Sequence, residues 1–168
     1  AYAQAGDFAN QALQLHDSLI NYNDLDPLAL LPFTNRNKET IFQSRLTDQT
    51  QVLTAFIYPD VIIDSTLLGM YHPNDLRHII YYTNLFSGQY NLKGSYSASI
   101  MPFTGLATDE LYLIRAEANA KFGNLSAAID DINTLLLYRY STGNFTPLTP
   151  GTQDEVLQLV RDERRKEL

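Results

Sequence analysis

DELYLIRAEANAKFGNLSAAIDDINTLLLYRY, residues 109–140, reads as two helices joined by a tight turn at Gly123-Asn124. In the second half Leu125, Ala128, Ile129, Ile132, Leu135 and Leu136 fall at i, i+3, i+4, i+7, i+10 and i+11, one face of an α-helix. Ser126, Asp130, Asp131 and Asn133 take the opposite face. In the first half Leu111, Ile114, Ala118 and Phe122 form a comparable stripe. Gly123 supplies the left-handed backbone that ends a helix at low cost, and Asn124 is expected to cap the next one. Ala116, Ala120, Ala127 and Ala128 are small enough to let two antiparallel axes approach closely. The stretch is therefore predicted to be an αα-hairpin.

Outward from it, the pattern repeats in part. Residues 1–5 look like the end of an earlier helix, Gly6-Asp7-Phe8 like the same turn, and Phe8, Ala12, Leu15 and Leu19 like a second stripe. Contiguous helical repeats of the tetratricopeptide type recur at about 34 residues. The copies here are far more widely separated, so an insertion is expected between them. Residues 21–36 are rich in Pro, Asn and Asp and read as loop. Thr40-Ile41-Phe42 is a short β-like run, and residues 49–56 fit helix or extended chain equally. Residues 64–70 read as helical turns capped by Asp64 or Ser65. Residues 76–86 are expected to hold a strand, and 87–99 a hairpin-like or irregular loop. Thr152-Gln153-Asp154-Glu155 is a capping box that opens a last helix, with Val156, Leu159 and Val160 inward. That helix reaches Leu168 without a stop signal, so the sequence is expected to be a fragment.

Composition excludes several function classes. Among 168 residues the formal net charge is -7, which does not suit a surface that tracks nucleic-acid phosphates. There is no cysteine, hence no disulfide, thiolate metal site or cysteine nucleophile. No apolar run approaches a membrane span. Tyr (11) and Phe (8) are plentiful while Trp is absent. Asp109-Glu110, Asp130-Asp131 and Asp154-Glu155 are adjacent acids that point apart on a helix, so they form no catalytic dyad. His16, His72 and His78 lack the converging spacing of a metal site. No phosphate loop, dinucleotide fingerprint or Ser/His/Asp motif is present. Catalysis, a metal and a cofactor are therefore not expected.

The motifs in order are similar to those of the SusD/RagB family. Its signature helix corresponds to Glu110, Leu113 and Arg115-Ala116-Glu117-Ala118, its turn to Gly123-Asn124, and its following helix to Asp131 and Asn133. Its E-R-R-x-E-L segment corresponds to Glu163-Arg164-Arg165-Lys166-Glu167-Leu168. The runs GDFANQALQLHDSLI and NKETIF, and Asp75-Leu76-Arg77, resemble upstream family segments. The resemblance implies a mainly α fold of tetratricopeptide-like helix pairs. Here that means one domain fragment, with a helical scaffold at 1–23 and 106–168 and a loop-rich insertion with short β segments at 24–105. It implies a non-catalytic lipoprotein on the surface of a Bacteroidetes-type outer membrane. Such a protein captures glycans or other nutrients for a SusC-like, TonB-dependent transporter. The lipid anchor and the segment that follows E-R-R-x-E-L are expected outside this sequence.

Within the insertion, Tyr71, Tyr81, Tyr82, Tyr90 and Tyr96 are the candidate sugar-binding residues, with Asn74 and Arg77 as polar partners. Sugar rings offer a C–H face that packs on an aromatic plane, while their hydroxyls need polar groups at the edge. The competing expectation is that these tyrosines pack the insertion onto the helices. At the level of function the alternative is a helical-repeat scaffold for protein partners. Arg115, Glu117, Arg164, Arg165 and Glu167 are expected to lock helices or lie on a solvated face.

Overall fold

Packing is organised by one helix, which the chain enters from a strand and surrounds with three others. The computed structural model describes residues 1–44, 62–86, 89–93, 96–99 and 103–168. Their elements are α1 (Tyr2–Leu15), β1 (Thr40–Phe42), α2 (Ser65–Leu68), α3 (Arg77–Tyr81), β2 (Tyr82–Phe86), β3 (Gln89–Leu92), β4 (Leu106–Ala107), α4 (Thr108–Lys121), α5 (Leu125–Leu137) and α6 (Gln153–Glu167). The central helix is α4, which packs against α1, α5 and α6. The fold is mainly α with short strands, as the sequence pattern predicts. The ambiguous segment 49–56, Gly88 and Gly94 lie outside the described residues.

The αα-hairpin at 109–140 is present. Gly123 has φ +78°, the left-handed conformation expected of it. On α5 the residues Ala128, Ile129, Ile132, Leu135 and Leu136 are buried as read. Three local readings need correction. The Asn124 side chain makes no capping bond; its backbone N–H instead donates to the Asn119 carbonyl (2.9 Å). Asp131 is buried rather than solvated, because Arg115 Nη2 donates to its Oδ1 at 2.7 Å. On α4 the buried set is Thr108, Asp109, Tyr112, Leu113, Ala116, Ala118 and Ala120, while Phe122 is exposed. A helix covered on three sides has no single stripe for periodicity to find.

The N-terminal reading also changes. Gly6-Asp7-Phe8 is not a turn: α1 runs through it without a break. Its inward residues are Ala9 and Leu13, and Phe8 and Leu15 face outward. The reason is steric. A Cβ on Gly6 would stand 2.8 Å from the Cβ of Ala118, so the glycine serves close approach of α1 to α4.

Two cores result. An aliphatic core joins Leu13, Leu19, Leu113, Ala116, Ile132, Leu135 and Val160 between the helices. An aromatic core holds Tyr22, Phe33, Tyr71, Ile80, Tyr81, Tyr82 and Tyr96 beneath the insertion. Residues 21–36, read as plain loop, contribute Tyr22 and Phe33 to it. The 76–86 segment splits into α3 and β2, and β2 pairs antiparallel with β3, Tyr82 opposite Leu92. β1 pairs antiparallel with β4, Thr40 opposite Ala107. The Thr108 N–H also donates to the Glu39 carbonyl (2.9 Å), which pins the start of α4. Asp64 caps α2, and the capping box at Thr152 and Glu155 opens α6.

The Gly6–Ala118 contact is testable. Gly6→Ala raises helix propensity by about 1 kcal/mol, yet overpacking costs roughly 1–3 kcal/mol. A net loss of stability in urea unfolding is expected. Adding Ala118→Gly is expected to show a favourable coupling between the two sites in a double-mutant cycle.

Candidate functional site

The insertion is fastened to the helices by buried charge. Arg77, at the start of α3, has no exposed side-chain surface. Its Nη2 donates to Asp75 Oδ2 (2.6 Å) and to Glu163 Oε2 (2.9 Å), and its Nη1 to Glu167 Oε2 (3.0 Å). Arg139, just beyond α5, donates through Nε to the other oxygen of Glu167. Its Nη1 reaches Glu39 Oε1 and the Ile20 carbonyl, both at 3.1 Å. Burial alone would lower both guanidinium pKa values, but Glu167 with Glu163 (for Arg77) or Glu39 (for Arg139) outweighs it and holds each well above the usual arginine value. Lys166 pairs with Glu163. Asp162, one turn before Lys166, accepts from Gln158 (2.9 Å).

Beside these charges lies a phenol network. The Tyr22 and Tyr81 hydroxyls are 2.6 Å apart, and those of Tyr22 and Tyr96 3.1 Å. Tyr96 donates to Glu39 Oε2 at 2.5 Å and stands 3.4 Å from Asp109 Oδ2. Tyr71 donates to the Lys166 carbonyl (2.8 Å), so Tyr82, at 3.1 Å, is the donor to Tyr71. Burial raises the pKa of Tyr22, Tyr81 and Tyr96 well above that of a free phenol, so they hold their protons. Asp109 is also raised well above the carboxylate range, first by burial and then by Glu167 and Glu39. Since the single Tyr96 proton goes to Glu39, a neutral Asp109 is the group able to donate across the 3.4 Å contact.

A cavity of about 380 Å³ opens over this network, within the range of small-ligand sites. Tyr81, Tyr82, Tyr96, Phe103 and Asp109 line it, and residues 165–168 at the end of α6 close one side. The structure thus brings three of the expected tyrosines together. Tyr71 stands behind Tyr82 through their hydroxyls. Tyr90 is half-buried with its ring 5.0 Å from that of His78, Asn74 is half-buried near Tyr140, and neither lines the cavity. Arg77 lies within the core with its donors held by three carboxylates. Glu39, Asp109, Tyr22, Phe103 and Arg139 had not been read as site residues. Glu39 and Arg139 stand 100 positions apart in the chain, and no spacing rule links them. A larger open groove of about 710 Å³ runs along α1, α4 and α5, but its Arg115 is committed to Asp131 and Asn10.

Two measurements probe this network. Arg139→Met leaves Glu39 and half of Glu167 without a counter-charge, so a loss of about 3–5 kcal/mol in chemical unfolding is expected. For Asp109 the sign follows from linkage. The unfolded carboxyl ionises near 3.9, while the folded one keeps its proton to higher pH. Stability is full below the unfolded value and is lost as pH rises towards the folded one. Asp109→Asn removes that loss. The variant and the parent are expected to melt together near pH 4, and the variant higher near pH 7.

The sequence matches the model of the SusD family over residues 71–168, more than half of the chain. The fold is similar to that of a crystal structure described as a SusD-like carbohydrate binding protein from Bacteroides vulgatus ATCC 8482. The TM-score is 0.73 at 21% identity, covering 99% of this chain and 39% of that one. The chain thus spans about two-fifths of that protein. No curated protein matches it. The match takes in α3 to α6, the aromatic insertion segment that leads into α4, and the Arg77–Glu163–Glu167 cluster, and on it the chain belongs to the SusD family.

Proposed function

We propose that this chain carries a glycan-binding site used for nutrient capture at the cell surface. The observation that carries the reading is the cavity walled by Tyr81, Tyr82, Tyr96 and Phe103, with a carboxyl group and phenols at its base. Flat rings accept the C–H faces of a sugar, and the polar base meets hydroxyls. In this reading Tyr82 and Tyr96 face the sugar and Tyr71 supports Tyr82. Tyr90 and Asn74 stand away from the cavity, and Arg77 holds α3 in place. The carbohydrate binding ascribed to the Bacteroides vulgatus protein supports it. The work is binding rather than catalysis.

The captured glycan would pass to a SusC-like, TonB-dependent transporter in the outer membrane. Among the described residues no helix is long and apolar enough to cross a membrane. Attachment to the outer surface then falls to a lipid anchor, as the family resemblance implies. A second reading, a helical-repeat scaffold for protein partners, draws on the open groove along α1, α4 and α5 and on the outward Phe8 and Leu15.

Calorimetric titration with oligosaccharides separates the two. Binding that weakens by about tenfold on Tyr82→Ala or Phe103→Ala, with the circular-dichroism spectrum unchanged, is the expected result. Co-purification of a transporter without affinity for any polysaccharide would favour the scaffold.

A further inference from the structure

The buried charge around the cavity does not balance. Arg77, Arg139 and Lys166 face four carboxylates, Asp75, Glu163, Glu167 and Glu39, and beside them the protonated carboxyl of Asp109. The remaining cations on this side of α6 are engaged elsewhere, Arg164 with Glu110 and Arg165 with Asp64. Asp109 is only 2% exposed, and its Oδ1 has no hydrogen-bond partner. An unpartnered buried carboxylate oxygen costs free energy unless a donor or cation meets it. Among the described residues no group of His, Cys, Asp or Glu is arranged to hold a metal ion. A donor carried on an organic ligand suits the site better, since aromatic walls stand beside the carboxyl.

We propose that the cavity selects a sugar bearing a free amino group, its ammonium set against Asp109 and its ring against Tyr82 and Phe103. The inference rests on the glycan-binding reading and names the sugar class. An ammonium at Asp109 takes the place of its proton, supplies the donor that Oδ1 lacks and forms a charge-assisted hydrogen bond. A uronate or sulfated sugar would add a further negative charge to a cluster already in excess, and is rejected.

Proton release accompanies binding. Asp109 is faced by Glu39 and Tyr96 from the preceding segments, Tyr81 from α3, Arg139 beyond α5, Glu167 from α6 and Glu110 on its own helix. Burial and the acids among these keep the proton on Asp109, and an arriving ammonium ion displaces it to solvent.

The test is calorimetry on the whole chain with three probes: glucosamine oligosaccharides, their N-acetylated counterparts and oligogalacturonate. At about pH 6 a primary amine is protonated. There the glucosamine oligomer is expected to bind about tenfold tighter than the N-acetylated one. The uronate is expected not to bind. Titration in buffers of different ionisation enthalpy is expected to show release of about one proton. Asp109→Asn is expected to erase the preference for the amine over its N-acetylated counterpart. If the N-acetylated oligomer binds as tightly as the amine, the selectivity is wrong while glycan binding stands. If neither these probes nor neutral glycans of other composition bind, both readings fall. If Asp109→Asn does not fold, proton release by the unaltered protein decides, and its absence overturns the proposal.

Discussion

Glu167 stands between two arginines that enter from opposite sides of the molecule. One oxygen takes Arg139, which follows α5, and the other takes Arg77, which opens α3. All three side chains are fully buried. A buried charge left without its partner is strongly destabilising, so this arrangement exists only when α3, α5, α6 and the loop of Glu39 are all in place. The insertion is therefore held to the scaffold by an all-or-none contact rather than by its short strands. Backbone bonds add to it: Leu76 N–H to the Arg139 carbonyl and Tyr22 N–H to the Tyr138 carbonyl, both at 2.9 Å.

From this constraint the aromatic core follows. The Glu39 carboxylate that holds Arg139 needs a further donor, and the phenol of Tyr96 supplies it. Tyr96 meets Glu39, Tyr22 packs its ring 4.2 Å from the Arg139 guanidinium, and Tyr71 bonds the last turn of α6. A tyrosine is apolar in its body and polar at its tip, so it fills space and satisfies buried charge together. The tyrosines that suggest a sugar platform are thus also core residues. Their exposed remainder is what lines the cavity. Cavity wall and packing share one set of side chains, and Asp109 is where the network is left one donor short.

Much of the architecture was legible in the chain. The stripe from Leu125 to Leu136, the turn at Gly123, the capping box at Thr152, the β-run at Thr40 and the order of the family motifs are local patterns, and the structure shows each of them. The misreadings share one cause. Gly6 was read as punctuation because glycine ends helices, but here it removes a Cβ that would strike Ala118. Asp131 and Asn133 were read as solvated because they lie off the apolar stripe. Arg115 buries the first, and the Leu148 backbone engages the second at 2.8 and 3.0 Å. Local pattern has no view of what another segment brings to the same place.

Local pattern in the sequence set the αα-hairpin at 109–140, the loop-rich stretch before it, the family and the residue types from which a site could be built. Periodicity, capping and motif order act between residues close in the chain, so they are written there. Only the tertiary structure decided which tyrosines converge, that Arg77 belongs to the core, and that Glu39, Asp109 and Arg139 meet around the Tyr96 hydroxyl. Those outcomes depend on contacts across as many as 119 residues. They also depend on a charge balance that exists only once water has been excluded.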